Sequence, residues 1–326
     1  MQILDGYARV YEELLAVPVV KGKKSDDERF AGAYFTTTTE IYVPVSGRGI
    51  QGATSHQLGQ NFAKMFEINF EDQNSEKKQV WQTSWGLSTR SIGAMIMVHS
   101  DDTGLVLPPK VAQTQVVIIP IIKKGDDSAA IKAAAEKAYS SLKAAGVRVD
   151  LDDRDNYNPG FKYNHWELRG TPIRLELGKK DFDNQEVRCC KRHDGVKSQM
   201  KQDTLAEEIP KLLEVIHKEM YDKALKARLD HVKDVDNWKD FMDALGGRNL
   251  CSAPWCDVQA CEVEVKDRSK EESLALMLEK NEEEAMLTGS AKTLCIPFEQ
   301  KPLAEGTKCF ACGKDAKVTA LWGRSY

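Results

Sequence analysis

The chain has 326 residues, a formal net charge of -4 and eight cysteines. Such a length leads to two or three domains with sizeable cores, and the acidic balance excludes a protein that coats nucleic acid without selectivity. The unevenly placed cysteines exclude a secreted disulfide framework, and no apolar run approaches the roughly 20 residues needed to cross a bilayer.

The opening MQILDGYARVYEELLAV reads as an amphipathic helix over 3–17, with Leu4, Tyr7, Val10, Tyr11, Leu14 and Leu15 on one face. Its acids make it unlike a signal or transit peptide, so a cytoplasmic protein with reduced thiols is expected. A charged loop follows at 21–28, then strands near 34–39 and 40–45 and a turn at 46–49. Thr54 is expected to cap a helix with Leu58, Phe62, Met65 and Phe66 on its apolar side. A polar loop over 72–79 leads to a strand and a helix at 91–98.

From 115 onward the pattern alternates. Strand 115–121 precedes a helix over 128–144 with Ile131, Ala134, Ala138 and Leu142 inward, and Gly146 ends it. Strands follow at 148–151, 171–177 and 186–191. This β-α-β order implies parallel strand pairs covered by helices. A long helix over 203–233 leads to a cysteine-bearing tail, and the acidic run at 282–284 reads as a solvated helix face. Between 162 and 201 stand ten Lys/Arg that outnumber the acids. This is the footprint of a polyanion contact or of an ordinary solvated face.

Three segments carry chemistry. In GRGIQGATSHQLGQNF (47–62), glycines allow close backbone approach, while Gln51, Thr54, Ser55 and His56 offer directional donors and acceptors. Ser55 and His56 are adjacent and lie in no G-x-S-x-G elbow, which argues against a hydrolytic pair. In QTSWGLSTRSIGA (82–94), a strand running into small hydroxyls and an arginine at a helix start suits a nucleotide phosphate. Alternatively, Arg90 pairs with Asp101 or Asp102 and only holds the fold. Cys256-x4-Cys261 and Cys309-x2-Cys312 form the kind of set that closes around one structural zinc ion. The competing reading is two reduced pairs in a core. Cys189, Cys190, Cys251 and Cys295 fit no pairing pattern.

These segments, together with DNYNPGFKYNHWELRGTPIRLELGKKD and the terminal Trp322–Tyr326 stretch, resemble prolyl-tRNA synthetase of the eukaryotic/archaeal type along essentially the whole chain. The resemblance implies an α/β, multi-domain fold with three parts. These are the later portion of a class II antiparallel-sheet catalytic domain (1–113), an α/β anticodon-binding domain (114–205), and a linker helix with a small zinc-binding α+β domain (206–326). It implies the activation of L-proline by ATP with Mg²⁺, transfer to tRNA(Pro), and structural Zn²⁺. It further implies a homodimer in the parent enzyme and is compatible with a multi-synthetase complex; no membrane partner is implied.

By position, Gly86–Arg90 resembles the third class II motif, so Ser88, Thr89 and Arg90 join Gln51 and Thr54 at ATP. His56 and Trp85 match the proline pocket. Glu167, Arg174, Lys180 and Asp181 match anticodon readers, and Cys256, Cys261, Cys309 and Cys312 match the zinc ligands. Tyr326 matches a terminal carboxylate that reaches back towards the catalytic site.

In the family, the first two class II motifs and a threonine/glutamate loop that grips proline come before the segment matching Met1. Arg9, Arg29 and Arg48 stand in no such context. Because activation rests on positioning and charge neutralisation, loss of the α-phosphate arginine alone costs on the order of 10²-fold. The expectation is therefore a C-terminal portion of a synthetase, inactive alone. The alternative is a non-catalytic module that binds tRNA or a partner.

Overall fold

The computed structural model describes residues 1–280, 289–300 and 302–326; the acidic run at 282–284 lies outside them. Helix α1 (Gln2–Arg9) passes into a π-helical turn (Val10–Leu14), and strands β1 (Val20–Lys23), β2 (Phe35–Val43) and β3 (Arg48–Gly59) follow. Next come α2 (Asn61–Met65), the hairpin β4 (Asn69–Glu71) and β5 (Lys77–Gln79), β6 (Gln82–Leu87) and α3 (Arg90–His99). The middle of the chain forms β7 (Val116–Ile121), α4 (Ser128–Ala144), β8 (Val149–Leu151), α5 (Pro159–Leu168) and β9 (Ile173–Gly178). It continues with α6 (Lys179–Asp183), β10 (Glu186–Lys191), β11 (Lys197–Lys201) and α7 (Leu205–Asp230). The remaining elements are β12 (Val232–Asp234), α8 (Trp238–Gly246), β13 (Leu250–Trp255), α9 (Gln259–Lys280), β14 (Lys292–Pro297) and β15 (Val318–Gly323).

The chain divides into two compact units. One holds residues 1–12, 17–94 and 225–326, and the other holds 13–16 and 95–224. The first is built on an eight-stranded sheet, ordered β12-β13-β15-β14-β1-β2-β3-β6. Segments expected in separate first and third domains thus share one sheet through the antiparallel pairing of β1 with β14. The second unit has a five-stranded sheet, ordered β11-β10-β9-β7-β8, with β7 parallel to both β8 and β9.

Local chemistry explains the clean elements. The Asp127 carboxylate accepts from the Ala130 N–H to start α4, which buries Ile131, Ala135, Ala138 and Leu142 against β7 and β8. Gly146 closes it at φ +80°. Asn158 caps α5 ahead of Pro159, and Asn237 caps α8.

Other expectations need correction. Residues 48–59 form strand β3, so Thr54 is a ladder residue, and the helix expected from it shrinks to α2. Backbone pairing with β2 on one side and β6 on the other outweighs the helical spacing of Leu58, Phe62 and Met65. Gly59 ends β3 at φ +57°, where a Cβ would lie 1.6 Å from the Tyr34 ring. The strands expected at 34–39 and 40–45 are one strand, β2, and part of the charged loop at 21–28 is β1. The first helix stops at Arg9, and the π-turn shifts the phase so that Leu14 is exposed. Helix α5 and strand β11 had no counterpart in the sequence reading.

Candidate functional site

The glycine-rich segment works as a strand. Gln51 pairs with Glu40 and Ala53 with Thr39, leaving Gly52 as an extra residue in β3. Side chains alternate along a strand, so Gln51 and Thr54 would face opposite ways. The bulge at Gly52 returns Gln51 to the face shared by Thr54 and His56. Glycine is required there, because a Cβ would lie 2.9 Å from both the Tyr11 ring and Thr39 Oγ1. The Tyr11 hydroxyl donates to the Gly52 carbonyl at 2.9 Å, which fixes the bulge from behind.

On this face His56 sits between two threonines. Its Nδ1 lies 2.9 Å from Thr36 Oγ1 and its Nε2 lies 3.1 Å from Thr54 Oγ1. Burial lowers its pKa below the ordinary histidine value. A neutral imidazole serves both hydroxyls, donating to one and accepting from the other. The Phe30 ring packs 4.8 Å from the imidazole, and Phe62 packs against Phe30. Phe30 is therefore a neighbour of His56 that sequence reasoning missed. It lies in a charged stretch whose only signal is the single aromatic.

Trp85 lies on the neighbouring strand, β6. It pairs with Ser55, whereas His56 pairs with Ser84, so the two proline-pocket candidates face opposite sides of the β3–β6 ladder. Even so, Trp85 and His56 both line a cleft of about 360 Å³, together with Thr37, Ser55 and Thr83 and bordered by residues 1–3. Ser88, Thr89 and Arg90 follow β6 and are exposed. The Arg90 N–H is 3.3 Å from Ser88 Oγ, and Arg90 opens α3 with no ion pair among the described residues. Asp101, the alternative partner, is bound instead by both outer nitrogens of Arg192 at 2.7 Å, which holds its carboxyl well below the usual range.

The anticodon candidates fall into two clefts of the second unit. Arg174 binds Glu167 at 2.6 Å and Glu176 at 3.0 Å, and lies 4.1 Å over the Tyr163 ring. A cleft of about 200 Å³ opens on Glu167, Arg174 and Lys197. A wider cleft of about 580 Å³ carries Lys180, Asp181, Lys123 and Arg188. Asp181 accepts from the Gly178 N–H at 3.1 Å, whereas Lys180 and Arg188 have no ion pair among the described residues. Glu176 lines the second cleft and holds Arg174 of the first. The structure therefore sorts the basic segment into cations already neutralised, such as Lys191 and Arg192, and a few left open. Fixed carboxylate and guanidinium edges beside open cations suit an unstacked RNA loop.

The four sequence-predicted thiols converge. All four sulfurs lie within 4.8 Å of one another, with Cys261 to Cys309 at 3.8 Å and Cys256 to Cys312 at 3.6 Å. Zn–S bonds of about 2.3 Å at tetrahedral angles place sulfurs about 3.8 Å apart, so the donor set fits zinc. Cys256 follows β13, Cys261 lies in the first turn of α9, and Cys309 and Cys312 flank a turn ending at Gly313. The Cys261 thiol and backbone N–H groups hold Cys309 towards the thiolate, and Cys261 is pushed up in exchange. A second group, His193, Asp194 and Glu219, is an ion network instead. The Lys191 ammonium already bridges the two carboxylates at 2.7 and 3.3 Å. Cys189, Cys190, Cys251 and Cys295 are buried singly. Tyr326 donates its N–H to the Gly49 carbonyl, and Arg48 lies over its ring, so the tail meets the first residues of β3.

Comparison with known proteins agrees with this layout. Residues 115–212 match the family model "Anticodon binding domain", and residues 238–326 match "Prolyl-tRNA synthetase, C-terminal". These matches place the chain among the aminoacyl-tRNA synthetases. The cytoplasmic proline–tRNA ligase of Arabidopsis thaliana is 51% identical over 326 residues, covering 100% of this chain and 59% of that protein. The bifunctional glutamate/proline–tRNA ligase of Drosophila melanogaster is 46% identical, covering 100% of this chain and 19% of that protein. The crystal structure of prolyl-tRNA synthetase from Cryptosporidium parvum, complexed with halofuginone and AMPPNP, superposes with a TM-score of 0.90 at 46% identity. It covers 99% of this chain and 64% of that one. The chain carries the anticodon-binding and C-terminal domains of prolyl-tRNA synthetases and is similar to them along its whole length, and it spans about three-fifths of the Arabidopsis relative. No helix among the described residues is long and apolar enough to cross a membrane.

Proposed function

We propose that the chain serves the cytoplasmic proline–tRNA ligase reaction. In that reaction the carboxylate of L-proline attacks the α-phosphorus of Mg-ATP and pyrophosphate leaves. A terminal hydroxyl of tRNA(Pro) then attacks the adenylate carbonyl and AMP leaves. The observation that carries this reading is the Gly52 bulge, which gathers Gln51, Thr54 and His56 on one face. Gln51 and Thr54 would meet the adenosine, and Arg90 with Ser88 and Thr89 would meet the outer phosphates as a fixed cation at a helix start. His56, neutral and packed on Phe30, suits a small apolar imino acid, and Trp85 would border the pocket from the other side of the ladder. Glu167, Arg174, Lys180 and Asp181 would read anticodon bases. The four cysteines would hold zinc as a structural tie, with no part in the chemistry. In this proposal the functional parts are 1–113, 114–205 and 206–326, the first and last joined through the β1–β14 pairing, and the assembly is a homodimer.

Proline-dependent exchange of pyrophosphate into ATP tests the proposal, alongside tRNA(Pro) binding. Exchange by this chain that disappears in Arg90→Ala supports it. Binding of tRNA(Pro) without exchange supports the second reading, a tRNA-binding module. The exposure of β6 and of Ser88 to Arg90 favours that reading, because phosphate-facing groups there stand open to solvent.

A further inference from the structure

We propose that Glu262 is a positioning residue that ties the four-cysteine site to the amino-acid pocket, by holding the loop that sets Phe30 against His56. The inference rests on the pocket assignment above and adds a route by which the C-terminal part controls it. Cys261 and Glu262 are neighbours in the first turn of α9. The first belongs to the thiol cluster, and the second is buried and accepts from the Ser25 hydroxyl at 2.7 Å. Ser25 is itself buried and works as a pivot, because its Oγ also accepts from the Glu28 N–H at 3.3 Å and its carbonyl accepts from the Arg29 N–H at 3.0 Å. Gln259, one turn edge earlier, donates to Asp27 at 3.1 Å. The start of α9 therefore grips the loop at two points.

The loop delivers this hold to the pocket within a few residues. The Phe30 N–H donates to Thr36 Oγ1 at 3.1 Å, the same oxygen that meets His56 Nδ1 at 2.9 Å. The Phe30 ring then rests on the imidazole. At the loop's other edge, the buried Lys24 ammonium binds Glu40 at 2.8 Å and the Leu294 carbonyl at 2.7 Å, so β14 anchors it as well. A buried carboxylate is costly to desolvate, and an apolar residue in its place would pack more cheaply. A hydroxyl that both donates to that carboxylate and accepts from a loop amide fixes the loop's conformation, which packing alone would leave looser.

The test compares Glu262→Ala, Glu262→Gln and Ser25→Ala in the whole 326-residue chain loaded with zinc. The readouts are zinc content, amide hydrogen exchange at residues 28–30, and the proton resonance of the His56 ring, which the Phe30 ring current shifts. Glu262→Ala and Ser25→Ala are expected to keep one zinc per chain, to lose about tenfold of the protection at 28–30 and to move the His56 signal. Glu262→Gln, whose amide oxygen still accepts, is expected to restore both. Protection and His56 signal unchanged in Ser25→Ala, or Glu262→Gln behaving as Glu262→Ala, would overturn the coupling. These readouts do not involve proline, so absence of proline binding would strike the pocket assignment and leave the coupling standing.

Discussion

Two ends of one sheet place the same residue type in opposite circumstances. At the β13–β15 end, Trp255 and Trp322 are 1% and 0% exposed and meet edge to face, with Phe241 and Phe310 packed around Trp322. At the β6 end, Trp81 and Trp85 are 68% and 56% exposed, and Leu87 is open as well. At the first end α8, the start of α9 and the cysteine turn close a core over the sheet face that carries the two tryptophans. The contrast separates two uses of aromatic surface. One stabilises by burial; the other is available to a ligand or to further polypeptide, as exposed apolar patches generally are.

Four outcomes would sharpen or break this contrast. The largest effect belongs to the thiol cluster. Cys261→Ser or zinc chelation should unfold the β13–β15 end, at a cost of about 4 kcal/mol or more, on the order of 10 °C in melting temperature. Metal analysis should find one zinc per chain before chelation, and an unchanged melt without metal would show that packing alone holds this end. Second, Trp322→Ala should cost about 3–5 kcal/mol by denaturant unfolding, whereas Trp85→Ala should stay within about 0.5 kcal/mol. Equal losses would erase the distinction between the ends. Third, Arg90→Ala should leave stability unchanged yet weaken ATP binding by about 10- to 100-fold in calorimetry, the worth of a charge-assisted hydrogen bond. A stability loss instead would assign Arg90 to the fold.

The fourth outcome uses the second unit as a control. Burial holds His99 down to about 4, with its Nε2 2.9 Å from the Leu15 carbonyl. An unfolded histidine titrates near 6.5, so the unfolded chain binds the extra proton first. The stability contributed by neutral His99 is complete above about 6.5 and is lost as pH falls towards 4, at about 1.4 kcal/mol per pH unit. His99→Gln should flatten that part of the pH–stability curve and leave the Trp322 and Trp85 comparison untouched. A slope that survives the substitution would assign the acid sensitivity to another group.

Much of this was legible before any coordinates. Helix α4 and strand β10 fall where the apolar pattern puts them, because their signals are local: for α4, a Gly146 stop and an apolar face that includes Ile131, Ala138 and Leu142. The paired cysteines announced their cluster through spacing. The 47–62 segment misled, since glycine, threonine and a helical spacing of apolar residues suit a capped helix as well as a bulged strand. Only two flanking strands decided between them. Phe30 escaped notice because its importance depends on Thr36 and His56, which sequence separation hides.

The amino-acid sequence by itself determined the set of chemical groups available: the thiols, the arginine at a helix start, and the acidic and basic side chains of 162–201. It also determined most elements whose stability is local. Tertiary structure alone decided which groups share a face. The Gly52 bulge turned Gln51 towards His56, the ladder register turned Trp85 away, and the β1–β14 pairing brought Glu262 to Ser25. The reason is physical. Register and bulges follow from the summed burial and hydrogen bonding of strands that lie far apart in the chain, and no local pattern carries that sum.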